Sequence, residues 1–235
     1  LLLRNNALVK SVKFKNYNYI GDPINAVKIF NELKADELVL LDIDATAEGR
    51  RISSEVIKRV GEEANMPFSV GGGISSIEDI KDVIACGAEK VILNSYAITN
   101  PLFIQEAVQY FGSSTIVLCI DVKKKFLGKS NYVFIKNGKE ATKYKPVELA
   151  RIAEEMGAGE IIIQSISNDG TMSGYDINLI KSISDAVTIP TVALGGAGHL
   201  TDFKNAYQYG NVSGIAAGSF FVYQGNNKGV LINYP

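Results

Sequence analysis

Glu37-Leu-Val-Leu-Leu-Asp42, running on to Pro67-Phe-Ser-Val-Gly-Gly-Gly73, returns later in the chain as Glu160-Ile-Ile-Ile-Gln-Ser165, running on to Pro190-Thr-Val-Ala-Leu-Gly-Gly196. Each copy passes from an apolar strand through a helical stretch to a second strand that ends in paired glycines. Glu37 and Glu160, Pro67 and Pro190, Gly72 and Gly195, and Gly87 and Gly210 are all separated by 123 positions. A register held over so many landmarks marks an internal repeat. The chain therefore reads as two equivalent halves, about 1–114 and 115–235, forming one domain. A ring built from two half-rings carries two equivalent ligand corners.

Around these landmarks, short β-branched runs alternate with amphipathic stretches, the pattern of βα units in a parallel sheet. The strands are expected at Glu37–Ile43, Phe68–Gly71, Lys90–Leu93, Thr115–Ile120, Glu160–Gln164, Thr191–Leu194 and Gly214–Ala217, with Leu1–Leu3 as the tail of a first strand. Helices are expected at Ile24–Leu33, Ser53–Ala64, Ser76–Ala85, Pro101–Phe111, Val147–Met156, Asn178–Ala186 and Leu200–Tyr209. Ser75-Ser-Ile-Glu78 reads as a capping signal, and Pro101 as a first helical residue. Eight strands with helical crossovers predict a closed (β/α)8 barrel; an open doubly wound sheet needs a topological switch that the half-and-half register does not suggest. The short first strand and the stop at Ile232-Asn-Tyr-Pro235 suggest that the barrel is clipped at both ends. One insertion, about 122–145, interrupts the rhythm. It carries alternating Asn131-Tyr-Val-Phe-Ile135, an Asn137-Gly138 turn and Lys139–Lys143, a lysine-rich β-hairpin.

The bulk properties narrow the function classes. A net charge of -1 and a pI near 6.0 supply no field for nucleic acid or anionic lipid, so an anionic ligand has to be held by local geometry. No apolar run approaches the roughly 18 residues of a membrane span, and no basic leader opens the chain. Cys86 and Cys119 form no paired framework and read as buried small apolar residues. The expectation is a cytoplasmic protein.

The reactive face of such a barrel is the set of strand C-termini. Asp42, Asp121 and Asp169 stand there, and Asp121 is the leading acid/base group, because desolvation in the ring mouth moves a carboxyl towards the working range. Asp42 and Asp169 read equally well as loop caps. Lys10 lies in the polar stretch after the first strand and could belong to a mobile lid, with solvation the plain alternative. Glycines after barrel strands let backbone N–H groups approach an anion. Gly73 with Asn94 and Ser95 would make one phosphate corner, and Gly170, Gly196 and Gly218 the other. The expected ligand is long and phosphorylated at both ends. His199, the only histidine, reads as a cap or a solvated residue, and without a histidine or carboxylate cluster neither a metal nor another cofactor is expected.

Several motifs together resemble the cyclase subunit of imidazole glycerol phosphate synthase, the HisF family of the histidine pathway. They are Gly21-Asp-Pro23, Ala35-Asp-Glu-Leu-Val39, Leu41-Asp-Ile43, Pro67-Phe-Ser-Val-Gly-Gly-Gly-Ile74, Gly157-Ala-Gly-Glu160, Asp169-Gly-Thr171, Ser173-Gly-Tyr-Asp176 and Gly195-Gly-Ala-Gly198. The resemblance implies a barrel that receives ammonia from a HisH-like glutaminase subunit and uses it to cleave and cyclise a bis-phosphorylated ribulosyl aminoimidazole compound. It implies catalytic roles for Asp121 and Lys10, with Asp42 and Asp169 as strand-end aspartates, and an ammonia entrance ringed by Glu37, Lys90 and Glu160.

The family's other catalytic aspartate sits in a Leu-Asp-Val-Lys motif on the first strand, and Leu1-Leu-Leu-Arg4 puts Leu2 in its place. Losing one of two cooperating proton-transfer groups costs about 10²–10⁴-fold in rate. These leucines, with Ala193-Leu-Gly-Gly196, are similar to a branch associated with acetamidino or amide decoration of bacterial surface sugars such as lipopolysaccharide. There the barrel passes ammonia to a separate sugar amidotransferase. The alternatives are the ordinary histidine-pathway cyclase and the sister phosphoribosyl isomerase barrel, which shares the glycine corners.

Overall fold

The computed structural model describes residues 1–124, 130–224 and 229–230. Strands β1 (Leu2–Arg4), β2 (Ala7–Val12) and β3 (Lys15–Gly21) open the chain, followed by helix α1 (Pro23–Glu32), β4 (Leu38–Asp42), α2 (Ser54–Glu63), β5 (Phe68–Gly71), α3 (Ile77–Ala85) and β6 (Lys90–Leu93). Then come α4 (Ser95–Thr99), α5 (Leu102–Phe111), β7 (Ile116–Lys124), β8 (Asn131–Ile135), β9 (Glu140–Ala141), α6 (Pro146–Glu155) and β10 (Glu160–Ser165). The chain continues through α7 (Ile177–Ser184), β11 (Thr191–Leu194), α8 (Leu200–Gly210), β12 (Gly214–Ile215) and α9 (Ser219–Val222) to a short hairpin, β13 (Tyr223–Gln224) and β14 (Gly229–Val230).

The ladder β1-β4-β5-β6-β7-β10-β11-β12 is parallel at every step and forms the wall of a (β/α)8 barrel. Its strands need two covered faces, which is why they read as continuous apolar runs. On the outside, Leu40, Val70, Val91, Leu118 and Ile161 join a core with helix residues such as Val27, Ile57, Val60, Ile80, Val83 and Ile104. On the inside, Ile92, Val117, Cys119 and Ile162 pack with Val39, Leu41, Val192 and Leu194. Each fully buried Leu, Ile or Val contributes about 1.5–3 kcal/mol.

The repeat visible in the sequence extends to the capping chemistry. Before α3, Asp79 accepts hydrogen bonds from the Ser75 and Ser76 backbone N–H groups at 3.0 Å each. Before α8, 123 positions on, Asp202 accepts from Gly198 and His199 N–H at 2.9 and 2.8 Å. His199 thus serves through its backbone, and its side chain is exposed. The box before α3 is closed by Asp79 rather than by Glu78, and Pro101 stands at the N-cap of α5, one position before its first helical residue. Gly73 and Gly196 also correspond. A Cβ on Gly73 would lie 1.8 Å from the Arg50 carbonyl oxygen, and one on Gly196 2.2 Å from that of Gly174. Both have positive φ, so both positions demand glycine on two counts.

Two hairpins depart from the expected plan. The stretch after the first strand is not a loop: β2 pairs antiparallel with β1 and with β3. Its turns are Asn5-Asn6 and Lys13-Phe14, all at positive φ, the geometry of two-residue hairpin connections. Further on, β7 runs past Ile120 to Lys124 and pairs with β8, which pairs with β9, so the expected hairpin becomes a three-stranded antiparallel flap. Its turn at Lys136-Asn137-Gly138 has positive φ throughout, as the Asn-Gly signal requires. Lys125 and Lys129 of that insertion, and the final Ile232–Pro235 stretch, lie outside the described residues. Cys119 is buried as expected, whereas Cys86 is half-buried. Among the described residues no helix is long and apolar enough to cross a membrane.

Candidate functional site

The strand C-termini converge on a cavity of about 1480 Å³ whose lining includes Lys10, Asp42, Asp121, Gln164 and Asp169. Asp121 is buried on β7, where its backbone pairs with Gln164 of β10 and with Phe134 of β8. Its carboxylate accepts a hydrogen bond from Asn94 Nδ2 at 3.2 Å, and the Cys119 thiol approaches at 3.7 Å. Burial pushes the Asp121 pKa up to about 7; the Cys119 and Asn94 contacts oppose the shift and the charge of Asp169 adds to it. A carboxyl poised there can both donate and accept a proton near neutral pH. Burial, together with Asp121, keeps the Cys119 thiol protonated.

Asp169 follows β10 in a turn closed by its N–H bond to the Ser165 carbonyl at 3.0 Å. Its carboxylate accepts from Gln164 Nε2 at 3.0 Å and Ser11 Oγ at 3.4 Å, and its carbonyl accepts from Lys13 N–H at 2.9 Å. Burial raises its pKa against the opposing effects of Lys10, Gln164 and Ser11. Lys10 is a strand residue of β2, only 8% exposed, and not part of a polar lid. Burial lowers its pKa, and Asp169 partly restores it. Both groups are thus moved towards their neutral forms, which prepares them to exchange protons with a bound molecule.

Asp42 occupies the corresponding rim of the first half but is engaged differently. Oδ1 accepts from the Asp44 and Ala45 N–H groups at 3.2 Å each, and Oδ2 pairs with Arg50 Nη1 at 2.6 Å. Here the loop-cap reading holds. Its carboxylate is committed to the turn that carries Arg50.

The residues expected at phosphate corners lie on the rim in mixed roles. Asn94 Nδ2 donates to Asp121 and to the Cys119 carbonyl, so its side chain orients the acid. Ser95 Oγ donates to Asn94 Oδ1 and accepts from Lys136 N–H, which ties the β8–β9 flap to the ring. Gly170 packs on the Ser11 carbonyl, where a Cβ would come within 2.0 Å. Gly218 faces Lys10, whose Nζ would lie 1.9 Å from a Cβ there. Gly73, Gly170, Gly196 and Gly218 all line the cavity.

At the opposite end of the strands, Lys90 Nζ bridges Glu37 at 2.9 Å and Glu160 at 3.0 Å, and the Ser69 hydroxyl donates to Glu37. Burial alone would lower the Lys90 pKa, but the two carboxylates outweigh it and the net shift is upward. The three residues expected at an entrance therefore form one ion-paired cluster. Glu37 and Glu160 line the same cavity as Asp121. Between the two ends the walls are apolar, with Val39, Ile92, Ile162 and Val192. Leu2 also lines the cavity, on β1 in register with Leu41.

With this geometry, residues 1–228 match the family described as histidine biosynthesis protein. The chain belongs to that family. Within it, the HisF-like imidazole glycerol phosphate synthase subunits are the relatives. A protein of Leptospira interrogans provisionally named imidazole glycerol phosphate synthase subunit HisF is 46% identical over 235 residues, covering 100% of this chain and 92% of its own length. A protein of Pseudomonas aeruginosa provisionally named subunit hisF2 is 43% identical over the same span, 93% of its length. Imidazole glycerol phosphate synthase subunit HisF of Petrotoga mobilis is 40% identical over 218 residues, covering 93% of this chain and 86% of that protein.

In this HisF-like barrel, Gln164, Ser11 and Arg50 take part in the site without having stood out in the sequence. Gln164 was legible as the polar residue that follows the apolar run Ile161–Ile163, where the first half has Leu41. Ser11 became readable only once β2 was known to be a strand.

Proposed function

We propose that this HisF-like chain is the nitrogen-accepting barrel of a glutamine-dependent complex of the imidazole glycerol phosphate synthase type. Ammonia from a glutaminase docked at the Glu37–Lys90–Glu160 end passes through the barrel to the mouth around Asp121. The observation that carries this reading is the continuous cavity, charged at Glu37 and Glu160, apolar at Val39, Ile92, Ile162 and Val192, and polar again at Asp121, Gln164 and Asp169. An apolar throat suits a small neutral molecule and disfavours ions, because an unpaired charge is costly to desolvate. The glycine-rich corners support a bis-phosphorylated ligand at the rim, Gly73, Asn94 and Ser95 on one side and Gly170, Gly196 and Gly218 on the other.

Leu2 supports specialisation. On β1 it presents an alkyl side chain to the cavity where the resemblance calls for a second proton-transfer group. Asp121, held near a pKa of about 7, is then the principal acid/base group, and the barrel serves chiefly to deliver nitrogen, with amidation of surface sugars by a separate amidotransferase as the downstream use. The test combines the purified barrel with a HisH-type glutaminase. Glutamine should be hydrolysed, while the bis-phosphorylated histidine-pathway substrate turns over at least ~10²-fold more slowly than with the Leu2→Asp variant. Rapid wild-type turnover that Leu2→Asp leaves unchanged rejects the specialised reading.

The charge-moderated pair Lys10 and Asp169 favours a second reading, a full cyclase in which Asp169 supplies the second proton-transfer group. In that case Asp121→Ala and Asp169→Ala should each abolish turnover of the same substrate.

A further inference from the structure

Gln164 is 4% exposed, and its Oε1 is the one buried side-chain oxygen or nitrogen without a hydrogen-bond partner among the described residues. A buried amide oxygen left unpaired is costly, so its persistence calls for a partner. Turning the amide over does not cure it. Nε2 donates to Asp169 Oδ1 at 3.0 Å, and the reversed amide would set oxygen against that carboxylate. Gly195 leaves room for the amide on the other side, where a Cβ would crowd Nε2 at 3.1 Å. The orientation is therefore fixed by Asp169, and the free acceptor belongs to a residue that lines the central cavity.

Its neighbours narrow what can satisfy it. Gln164 stands beside Asp121 in the β7–β10 register, two residues beyond Ile162 of the apolar throat. A molecule leaving the throat passes Asp121 and Gln164, both cavity-lining residues on adjacent strands, which lie about 4.8 Å apart. The corresponding position in the first half is Leu41, so the repeat itself shows that the fold does not need an amide there. What an acceptor pair at the end of an apolar passage can hold is a small molecule rich in N–H donors, with its lone pair left free.

We propose that Gln164 is the receiving residue for ammonia at the mouth of the barrel: Oε1 accepts one N–H, the Asp121 carboxylate a second, and the nitrogen lone pair is left pointing at the rim. This rests on the ammonia-conducting reading above and adds the group that holds the nucleophile. Gln164 provides the orientation and Asp121 the proton transfer, so the two roles are separable.

The test is a titration of the isotopically labelled full chain with ammonium chloride, against potassium chloride at equal ionic strength and at alkaline pH, followed through side-chain amide and backbone resonances. The Gln164 amide and the Asp121 backbone signal should shift saturably with ammonium and not with potassium. Gln164→Met, close in volume but lacking the acceptor, should weaken the apparent affinity at least ~10-fold, about 1.4 kcal/mol. Thermal melts report whether the variant has lost its fold. Equal responses to ammonium and potassium, or a Gln164→Met curve that overlays the wild type, overturn the proposal. The readout needs no turnover. Saturable ammonium binding in a barrel that fails the glutaminase assay leaves this inference standing and removes the wider function, and the reverse result removes this inference alone.

Discussion

The two halves of the barrel set nearly the same backbone around different chemistry. In the first half, the strand-end carboxylate Asp42 is consumed by two backbone N–H groups and Arg50, and the position before it on the inner face is Leu41. In the second half, the strand ends in Gln164-Ser165, the acid has moved to Asp169 in the following turn, and a buried lysine from β2 faces it. The caps at Asp79 and Asp202 and the glycines at 73 and 196 are shared. Duplicated backbone thus provides the frame, and a few substitutions decide that the strand-end carboxylate is tied into a turn by Arg50 in one half and set near Gln164 and Ser11 in the other.

The largest expected effect concerns the rim that carries Asp121. Asp121→Asn should lower turnover of any substrate processed there by about 10²–10⁴-fold, measured with the glutaminase-coupled complex. The same variant sharpens the contrast through pH. Because the folded pKa of about 7 lies above the ordinary carboxylate value of 3.8, the folded state binds the extra proton between them. Stability contributed by Asp121 is therefore present at low pH and is lost as pH rises from about 4 to about 7, by up to about 4 kcal/mol. Denaturant titrations should show Asp121→Asn gaining relative to the wild type between pH 5 and pH 8.

Next come the shared glycines. Gly73→Ala and Gly196→Ala should each destabilise by about 3 kcal/mol or more, through positive φ and a carbonyl clash. Similar losses in denaturant midpoint support an equivalent frame; a large loss in only one half breaks the equivalence. A third pair separates the rims. Asp42→Asn should cost about 1–3 kcal/mol in stability with little loss of turnover, because it removes the ion pair between a buried carboxylate and Arg50, which keeps only its pair with Glu48. Asp169→Asn should cost less in stability, since burial already favours its neutral form, and should lower turnover more. The smallest effects belong to the caps: Asp79→Ala and Asp202→Ala should each lower stability by about 1 kcal/mol, visible in thermal melts and without effect on turnover.

Most of the fold was legible in the sequence, because buried parallel strands leave unbroken apolar runs and the repeat confirms each one against its partner. β5, β6 and β11 begin and end where the runs do. The first hairpin was missed for an identifiable reason. Ala7–Val12 pairs with strands on both sides, yet its runs are short and interrupted by Lys10 and Ser11, so it reads as a polar loop. Asn5-Asn6 was the available signal, two residues suited to positive φ. In the site, Asp121, Lys10, Asp169 and the Glu37–Lys90–Glu160 cluster were legible by position or resemblance. The closure of Asp42 by Arg50 was not, because an ion pair between neighbouring loop residues leaves no periodic trace.

The sequence alone determined the duplication, the strand and helix order, the acids at the strand ends and the presence of Leu2, not an acid, on the first strand. These are local or periodic properties, written in residue types at fixed spacings. Only the tertiary structure decided which acids are free, because that depends on what surrounds each side chain in space. Burial beside Asn94 and Cys119 poises Asp121, Arg50 consumes Asp42, and Lys10 arrives from a strand 159 residues before Asp169 to face it. Charge energies in a low-dielectric mouth are set by those neighbours, and chain folding is what brings them together.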